Sequence, residues 1–146
     1  MESVPREARE HLQRAMALHE QGDIPAALDE ARRALERAPD FADARSYLGS
    51  TLITRQGRYA DGLSELERAL ESAPEDAVLY YTLGWCYEFV AHRIARVAER
   101  PGALDPDELY AKAEASLRRC LELKPEGKIE GDAKDLLSSI IREDVE

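Results

Sequence analysis

The chain of 146 residues is 44% hydrophobic and 34% charged, a balance that excludes both a disordered polypeptide and a membrane-embedded one. Its formal net charge of -10 repels phosphate groups, so we expect neither nucleic acid nor an anionic membrane as a partner. The length suits one small domain or a short repeat array.

The first unit, residues 6–40, is predicted to contain two amphipathic helices. The first helix runs from Arg6 to Gln21 and ends at a Gly-Asp turn signal. The second lies in the segment AALDEARRALERAPD, residues 26–40, where Pro39 stops the helix. Small residues recur along one face of this second helix and allow a neighbouring helix to approach closely. They are Ala27, Ala31 and Ala34.

The second unit, residues 41–75, repeats this plan without gaps. Its first helix is predicted over residues 42–56 and ends before Gly57. Its second helix lies in DGLSELERALESAPE, residues 61–75. Two successive units of the same design indicate an internal repeat. The positions that match the small residues and the proline of the first unit are Gly62, Leu66, Ala69 and Pro74.

The third unit, residues 76–126, carries the pattern again in KAEASLRRCLELKPE, residues 112–126. A long amphipathic helix that begins at Ala77 precedes it. No alternation of apolar and polar residues competes with helix, so the chain is predicted to be all-α. The matching positions are Ala113, Leu117, Cys120 and Pro125.

The third unit is longer than the other two. Pro74 and Pro125 are 51 residues apart, whereas Pro39 and Pro74 are 35 residues apart, which places an insertion near residues 90–107. Apolar residues at helical spacing continue from Val90 into this insertion. We therefore predict that the two helices of this unit are elongated and protrude as a hairpin. A disordered surface insertion is the alternative.

The tail is predicted to form a capping helix over residues 128–143. An end repeat has an uncovered apolar face, and repeat arrays usually close with an extra helix that covers it. The alternative is a mobile segment that docks in the groove of another molecule. The apolar positions at helical spacing are Ile129, Ala133, Leu136, Leu137, Ile140 and Ile141.

These three units resemble the tetratricopeptide-repeat (TPR) family. The signature of that family pairs a first helix with W-x2-L-G-x2-Y and a second helix with A-x3-F, followed by a proline. The resemblance covers about residues 8–126 and implies a right-handed α-solenoid of three helix pairs. The third unit matches through Tyr80, Leu83, Gly84 and Tyr87, and then through Ala113, Leu117 and Pro125.

The resemblance also implies that the first helix of each pair lines a concave groove that binds another polypeptide. We therefore predict an adaptor or scaffold whose groove is apolar and aromatic and suits an amphipathic helix or an apolar peptide. The alternative is that Trp85 and Phe89 pack inside the longer hairpin. The predicted partner-binding residues are Leu12, Met16, Tyr47, Ser50, Ile53, Val78, Tyr81, Trp85 and Phe89.

One TPR subgroup clamps the terminal carboxylate of chaperone tails with lysine, arginine and asparagine at groove positions. The corresponding positions of this chain offer no cationic side chain, so the resemblance does not extend to that ligand. The residues at those positions are Leu12, Met16, Tyr47, Val78 and Thr82.

A cluster of cationic residues follows the aromatic stretch. We interpret it as a basic patch that steers an acidic-hydrophobic segment toward the groove, with a solvated helix face as the equal alternative. The runner-up function is a structural subunit that acts through homo-oligomerisation, with the apolar face or the hairpin forming a homodimer. The patch consists of His92, Arg93, Arg96 and Arg100.

No residue pattern in the sequence predicts a catalytic site, a cofactor or a metal site. The histidines, His11, His19 and His92, lack the spacing of metal ligands. Cys86 and Cys120 stand at positions where the TPR pattern has small buried residues. We therefore predict a protein that is not an enzyme.

The location and source of the protein are predicted from simpler features. The first ten residues carry five charges and no apolar run, unlike a secretory signal, so a cytoplasmic protein is expected. The chain contains no asparagine and far more arginine than lysine. This composition is typical of a thermophilic, bacterial source, although a GC-rich genome also favours arginine.

Overall fold

The computed structural model describes residues 4–96 and 104–145, with side chains described as far as residue 142. Within these residues the chain forms seven α-helices and no β-strand, which confirms the predicted all-α fold of helix pairs. The helices are α1 (Arg6–Glu20), α2 (Ile24–Arg37), α3 (Ala42–Gln56), α4 (Tyr59–Ser72), α5 (Ala77–Ile94), α6 (Pro106–Glu122) and α7 (Lys128–Val145).

The chain divides into two compact units, Met1–Ala73 and Pro74–Glu146. In the first unit α1 pairs with α2, α3 pairs with α4, and α2 packs against α3. In the second unit α5 pairs with α6, and α7 packs against both. The sequence pattern predicts one domain over residues 1–146, in which the repeat continues from Ala73 to Pro74 without a break, and this stays a prediction.

Backbone contact between α3 and α4 explains two glycines of the second repeat. A Cβ atom on Gly49 would lie 2.7 Å from the carbonyl oxygen of Gly62, and a Cβ atom on Gly62 would lie 2.5 Å from the carbonyl oxygen of Gly49. No side chain fits at either position. The small residues Ala27 and Ala31 of α2 are fully buried, and Ala31 packs with Ala15 of α1 and Leu48 of α3.

The helix ends follow from local residue chemistry. The side chain of Asp23 accepts a hydrogen bond from the backbone N–H of Ala26 at 3.2 Å, which caps α2. The carboxylate of Asp76 caps α5 in the same way. Gly57, after α3, has a φ of 65°, which lies in the left-handed region where glycine is favoured.

A buried ion pair joins α3 to α4. Arg45 Nη1 donates to Glu65 Oε2 at 2.8 Å, and Arg45 Nη2 donates to the carbonyl oxygen of Pro39 at 2.9 Å. The side chains of Arg45 and Glu65 are 10% and 20% exposed. No buried side-chain nitrogen or oxygen lacks a hydrogen-bond partner in the part of the chain that the structure describes. Both charges therefore have the partners that burial requires.

A second polar contact joins α1 to α2. His11 Nδ1 donates to Glu30 Oε2 at 2.6 Å, and both side chains are largely buried. This hydrogen bond lowers the pKa of Glu30, partial burial opposes it, and the nearby charges of His11, Arg14 and Arg33 add to the lowering. The carboxylate is therefore stabilised in its ionised form.

The helices of the third repeat are elongated, as the sequence predicts. Helix α5 has 18 residues against 15 in α1 and in α3, and α6 has 17 against 14 in α2 and in α4. Residues 97–103, the predicted tip of the hairpin, lie outside the described residues, so its protrusion stays a prediction. Within the pair, Gly84 of α5 leaves room for Leu117 of α6, whose Cδ2 atom would be 2.7 Å from an added Cβ.

The predicted capping helix is confirmed as α7. It packs mainly against α6 and also against α5. Ala133, Leu137 and Ile140, which recur at helical spacing, are its buried residues. The apolar stripe in the tail therefore serves the packing of the second unit.

Candidate partner-binding surface

The first unit presents a polar and apolar face built by α1 and α3. Tyr47 Oη lies 2.9 Å from His19 Nδ1, and the two rings meet edge-on with centroids 5.6 Å apart. Met16, one turn before His19 on α1, is 52% exposed. Ser50 is half-buried, and its hydroxyl donates to the carbonyl oxygen of Tyr47 at 3.3 Å. We call Met16, His19, Tyr47 and Ser50 the α1–α3 face.

Partial burial raises the pKa of Tyr47 above its ordinary value, while a hydrogen bond with Thr51 and the charge of Arg55 lower it. Tyr47 is therefore neutral at physiological pH. Its hydroxyl faces a histidine nitrogen, and its ring remains half-exposed. A neutral ring with an engaged hydroxyl contributes apolar area to this face.

Two residues predicted for the groove are buried instead. Leu12 is 9% exposed and packs in a core cluster with Ala8 and Phe41. Ile53 is 1% exposed, and its Cγ1 atom would be 2.5 Å from a Cβ on Gly62. Both side chains pack against neighbouring helices, Leu12 in a cluster with Ala34 of α2 and Ile53 beside Gly62 of α4. We therefore remove Leu12 and Ile53 from the set of candidate contact residues.

The second unit presents a stripe of large apolar side chains along α5. Val78 is 53% exposed, and Tyr81, Trp85 and Phe89 are half-buried. The rings of Trp85 and Phe89 meet at right angles, with centroids 6.5 Å apart and an interplanar angle of 89°. Residues four apart lie on one face of a helix, so these rings form a continuous line. We call Val78, Tyr81, Trp85 and Phe89 the α5 stripe.

Tyr81 is half-buried within the second unit. Burial raises the pKa of its hydroxyl, and the negative charge of Asp132 on α7 and the Cys120 thiol on α6 raise it further. The neighbouring residue Tyr80 lies on another face, where its ring centroid is 6.0 Å from the Arg119 guanidinium. Adjacent tyrosines on α5 therefore have different surroundings.

The predicted basic patch is exposed at its described members, His92, Arg93 and Arg96, whereas Arg100 lies outside the described residues. The Arg93 guanidinium carbon lies 4.8 Å from the centroid of the Phe89 ring, which is the geometry of a cation–π contact. The patch therefore continues the α5 stripe.

His92 of the patch makes two hydrogen-bond contacts, and the one with α6 cannot be read from the periodicity of the sequence. Arg96 Nη2 donates to His92 Nε2 at 3.1 Å, and His92 Nδ1 lies 3.2 Å from Tyr110 Oη on α6. Because arginine only donates, His92 Nε2 is the acceptor and Nδ1 carries the proton. Tyr110 follows the insertion, and no pattern within one helix indicates that it meets His92.

Other reactive groups give no further site in the described part of the chain. Cys86 and Cys120 are unpaired and buried, and burial raises the pKa of Cys86 to about 12. No cluster of three or more His, Cys, Asp or Glu side chains there has a geometry that could hold a metal ion. In the same residues, every helix is too short or too polar to cross a membrane.

Comparison with known proteins gives the same fold. The tetratricopeptide-repeat family model matches residues 12–77 and 54–88, which together exceed half of the chain. Among curated proteins, none matches the sequence at a significant level. The remaining comparison, with solved structures, concerns the fold.

Three solved structures resemble this chain. The first TPR domain of Spaghetti (RPAP3), bound to the HSP90 peptide SRMEEVD, superposes with a TM-score of 0.74 at 16% identity over 97% of this chain and 95% of that one. The N-terminal domain of stress-induced protein-1 (STI-1) from C. elegans gives 0.59 at 14% identity over 93% and 98%. MamA from Desulfovibrio magneticus RS-1, from residue 41 to the end, gives 0.59 at 22% identity over 92% and 74%.

Proposed function

This chain belongs to the tetratricopeptide-repeat family, and on that premise we propose that it is a cytoplasmic adaptor that binds a partner polypeptide through the α5 stripe. The observation that carries the proposal is the line of half-buried rings at Tyr81, Trp85 and Phe89, each of which keeps some surface open to solvent. Aromatic side chains bury a large area on binding at a small entropic cost, so they dominate the energetics of many interfaces.

Burial supports a binding role for these rings over a purely structural one. Trp85 and Phe89 contact one another edge to face, yet each keeps part of its surface open to solvent. The buried core of the same unit is formed by other residues of these helices, including Leu83, Tyr87 and Leu117. The stripe therefore leaves part of its apolar area open to a partner.

The α1–α3 face supports the same function in the first unit. The exposed thioether of Met16 is a flexible apolar contact, and the half-exposed ring of Tyr47 is a more rigid one. The partner that suits both faces is a polypeptide with apolar side chains, either wholly apolar or acidic and apolar.

We do not extend to this chain the HSP90 peptide that the similar structure contains. The positions that the family resemblance assigns to a carboxylate clamp include Val78 and Thr82, which carry no charge. The hydroxyl of Thr82 donates to the backbone carbonyl oxygen of Val78 at 3.1 Å and is already engaged. We therefore propose a partner that is recognised by internal side chains and not by its terminal carboxylate.

The test is partner capture by the full tagged chain from an extract of its native host, quantified by mass spectrometry. Trp85→Ala and Tyr81→Ala are expected to lose the captured partner, because each removes a ring of the α5 stripe. Tyr80→Ala is the matched control, since this tyrosine is adjacent in sequence but faces Arg119. Equal capture by Trp85→Ala, Tyr81→Ala and the unchanged chain would contradict the proposal.

A further inference from the structure

The last turn of α5 adds charge to the end of the α5 stripe. Helix α5 is three residues longer than α1 or α3, and Arg93 lies on this extra turn, four residues after Phe89. The guanidinium of Arg93 covers the Phe89 ring at 4.8 Å. Two aromatic rings and a cation therefore follow one another along a single face of α5.

A second guanidinium is held close to the first by α6. Tyr110 of α6 meets His92 at 3.2 Å, and His92 accepts a hydrogen bond from Arg96 at 3.1 Å. Arg96 uses one N–H group in this hydrogen bond, and its guanidinium has further N–H groups that can donate. Packing of α5 against α6 thus fixes Arg96 near the end of the stripe.

Neither arginine is neutralised by a carboxylate within residues 4–96 and 104–142: no acidic side chain there lies within 4.0 Å of Arg93 or Arg96. On α6, by contrast, Arg118 pairs with Glu114 at 3.4 Å and Arg119 pairs with Glu122 at 3.2 Å. The end of α5 is therefore locally positive in a chain of net charge -10.

The chain as a whole repels an acidic partner at long range, but salt limits that repulsion. The screening length is about 8 Å at physiological ionic strength, so contacts at the interface depend mainly on the nearest charges. Within the part of the second unit that the structure describes, the charges nearest the α5 stripe without a carboxylate partner are those of Arg93 and Arg96. An acidic group placed beside them gains charge-assisted hydrogen bonds.

We propose that the α5 stripe binds an amphipathic helix whose apolar side chains cover Trp85 and Phe89 and whose carboxylates, about one turn further along, pair with Arg93 and Arg96. This inference rests on the proposed binding function and names the chemistry of the partner. A helix fits because the rings on α5 recur every four residues, about 6 Å apart, which matches side chains at i and i+4 of a second helix.

The experiment selects binders from a phage-displayed library of helical peptides against the full chain. Selected peptides are expected to combine apolar residues at i and i+4 with Asp or Glu three or four residues further on. Their affinity is expected to fall by about tenfold or more in Arg93→Glu/Arg96→Glu, because repulsion replaces attraction at those carboxylates. The affinity for the unchanged chain is also expected to fall as salt is added.

A matched control separates this local effect from a change in overall charge. Arg118→Glu/Lys128→Glu alters the net charge by the same amount at other exposed positions of the second unit and is expected to leave peptide affinity unchanged. An equal loss of peptide affinity in Arg93→Glu/Arg96→Glu and in Arg118→Glu/Lys128→Glu would overturn the inference. Selected peptides without acidic residues, or with basic or extended sequences, would overturn it too.

A further variant distinguishes failure of this inference from failure of the proposed function. Apolar peptides could bind the unchanged chain and Arg93→Glu/Arg96→Glu with equal affinity but fail to bind Trp85→Ala. That result would contradict the predicted acidic partner while still supporting the adaptor function. Peptides that bind Trp85→Ala as well as the unchanged chain would overturn both. The inference would also be overturned if the occupant were a second copy of this chain. Light scattering would then show a molecular mass that rises with protein concentration, and Trp85→Ala would abolish that rise.

Discussion

The carbonyl oxygen of Gly62 lies where a side chain on Gly49 would have to begin. The distance from that oxygen to an ideal Cβ on Gly49 is 2.7 Å, and the reverse distance, from Gly49 oxygen to a Cβ on Gly62, is 2.5 Å. Real Cβ atoms do not approach backbone oxygen so closely. Helices α3 and α4 therefore meet through their backbones at this point.

Gly62→Ala is expected to lower the free energy of unfolding by about 2 kcal/mol, since overpacking exceeds the gain in helix propensity. Gly131→Ala is the matched control, because nothing lies within 4 Å of a Cβ at that position of α7. It is expected to raise the stability by about 0.5–1 kcal/mol. Urea denaturation measures both, and a Gly62→Ala variant as stable as the unchanged chain would contradict the packing described here.

The buried pair between Arg45 and Glu65 gives a second prediction. Arg45→Met removes the more buried of the two arginines that pair with Glu65, which keeps Arg68 at 3.5 Å, and is expected to cost about 1–3 kcal/mol in unfolding free energy. The double variant Arg45→Met/Glu65→Met removes both charges and is expected to be more stable than Arg45→Met alone. Urea denaturation of the four chains forms a double-mutant cycle, and purely additive effects would exclude coupling between the two side chains.

The pair of His11 and Glu30 predicts a dependence of stability on pH. The pKa of Glu30 is lower in the folded chain than its ordinary value of 4.5, so its contribution is present above that value and is lost as pH falls through the lower, folded-state pKa. Glu30→Gln is expected to be less stable than the unchanged chain by about 1–2 kcal/mol near pH 6. The difference is expected to shrink as pH falls through the folded-state pKa of Glu30, because below it the carboxylate is protonated in both states. A difference that grows on acidification would reverse the assigned sign.

The two cysteines are expected to be inert toward thiol reagents in the folded chain. Burial raises the pKa of Cys86 to about 12 and also raises that of Cys120, and both side chains are inaccessible. At pH 8 the thiolate population of a group with a pKa near 12 is about a thousandfold smaller than that of an ordinary thiol. Labelling with a chromogenic disulfide should therefore wait for unfolding, and rapid labelling in the absence of urea would show that the packing around α5 and α6 is open.

The sequence predicts the helix pairs well because each pair has a local signal. Small residues at Ala27, Gly62 and Gly84 mark positions of close approach, and prolines or glycines mark the ends. These signals act within one or two turns of helix. Elongation of α5 and α6 was also predictable, since apolar spacing runs into the insertion from its start.

The candidate surface is less predictable from sequence, because exposure depends on small rotations of each helix. Successive side chains of an α-helix are rotated by about 100° around its axis. The pattern of apolar residues therefore does not decide whether a side chain at the edge of an apolar stripe is buried or exposed. Leu12 and Ile53 stand at such edges and prove to be buried, whereas Met16 is exposed. The contact of His92 with Tyr110 joins two helices across the insertion, and no periodicity within one helix contains that information.

The division into Met1–Ala73 and Pro74–Glu146 affects how thermal melting of this chain is read. The only tryptophan, Trp85, belongs to the second unit, so its fluorescence reports the loss of order in that unit. Far-ultraviolet circular dichroism records the helices of both units. Separate transitions in the two signals would mean that the chain melts in two cooperative blocks, each with its own midpoint and its own enthalpy.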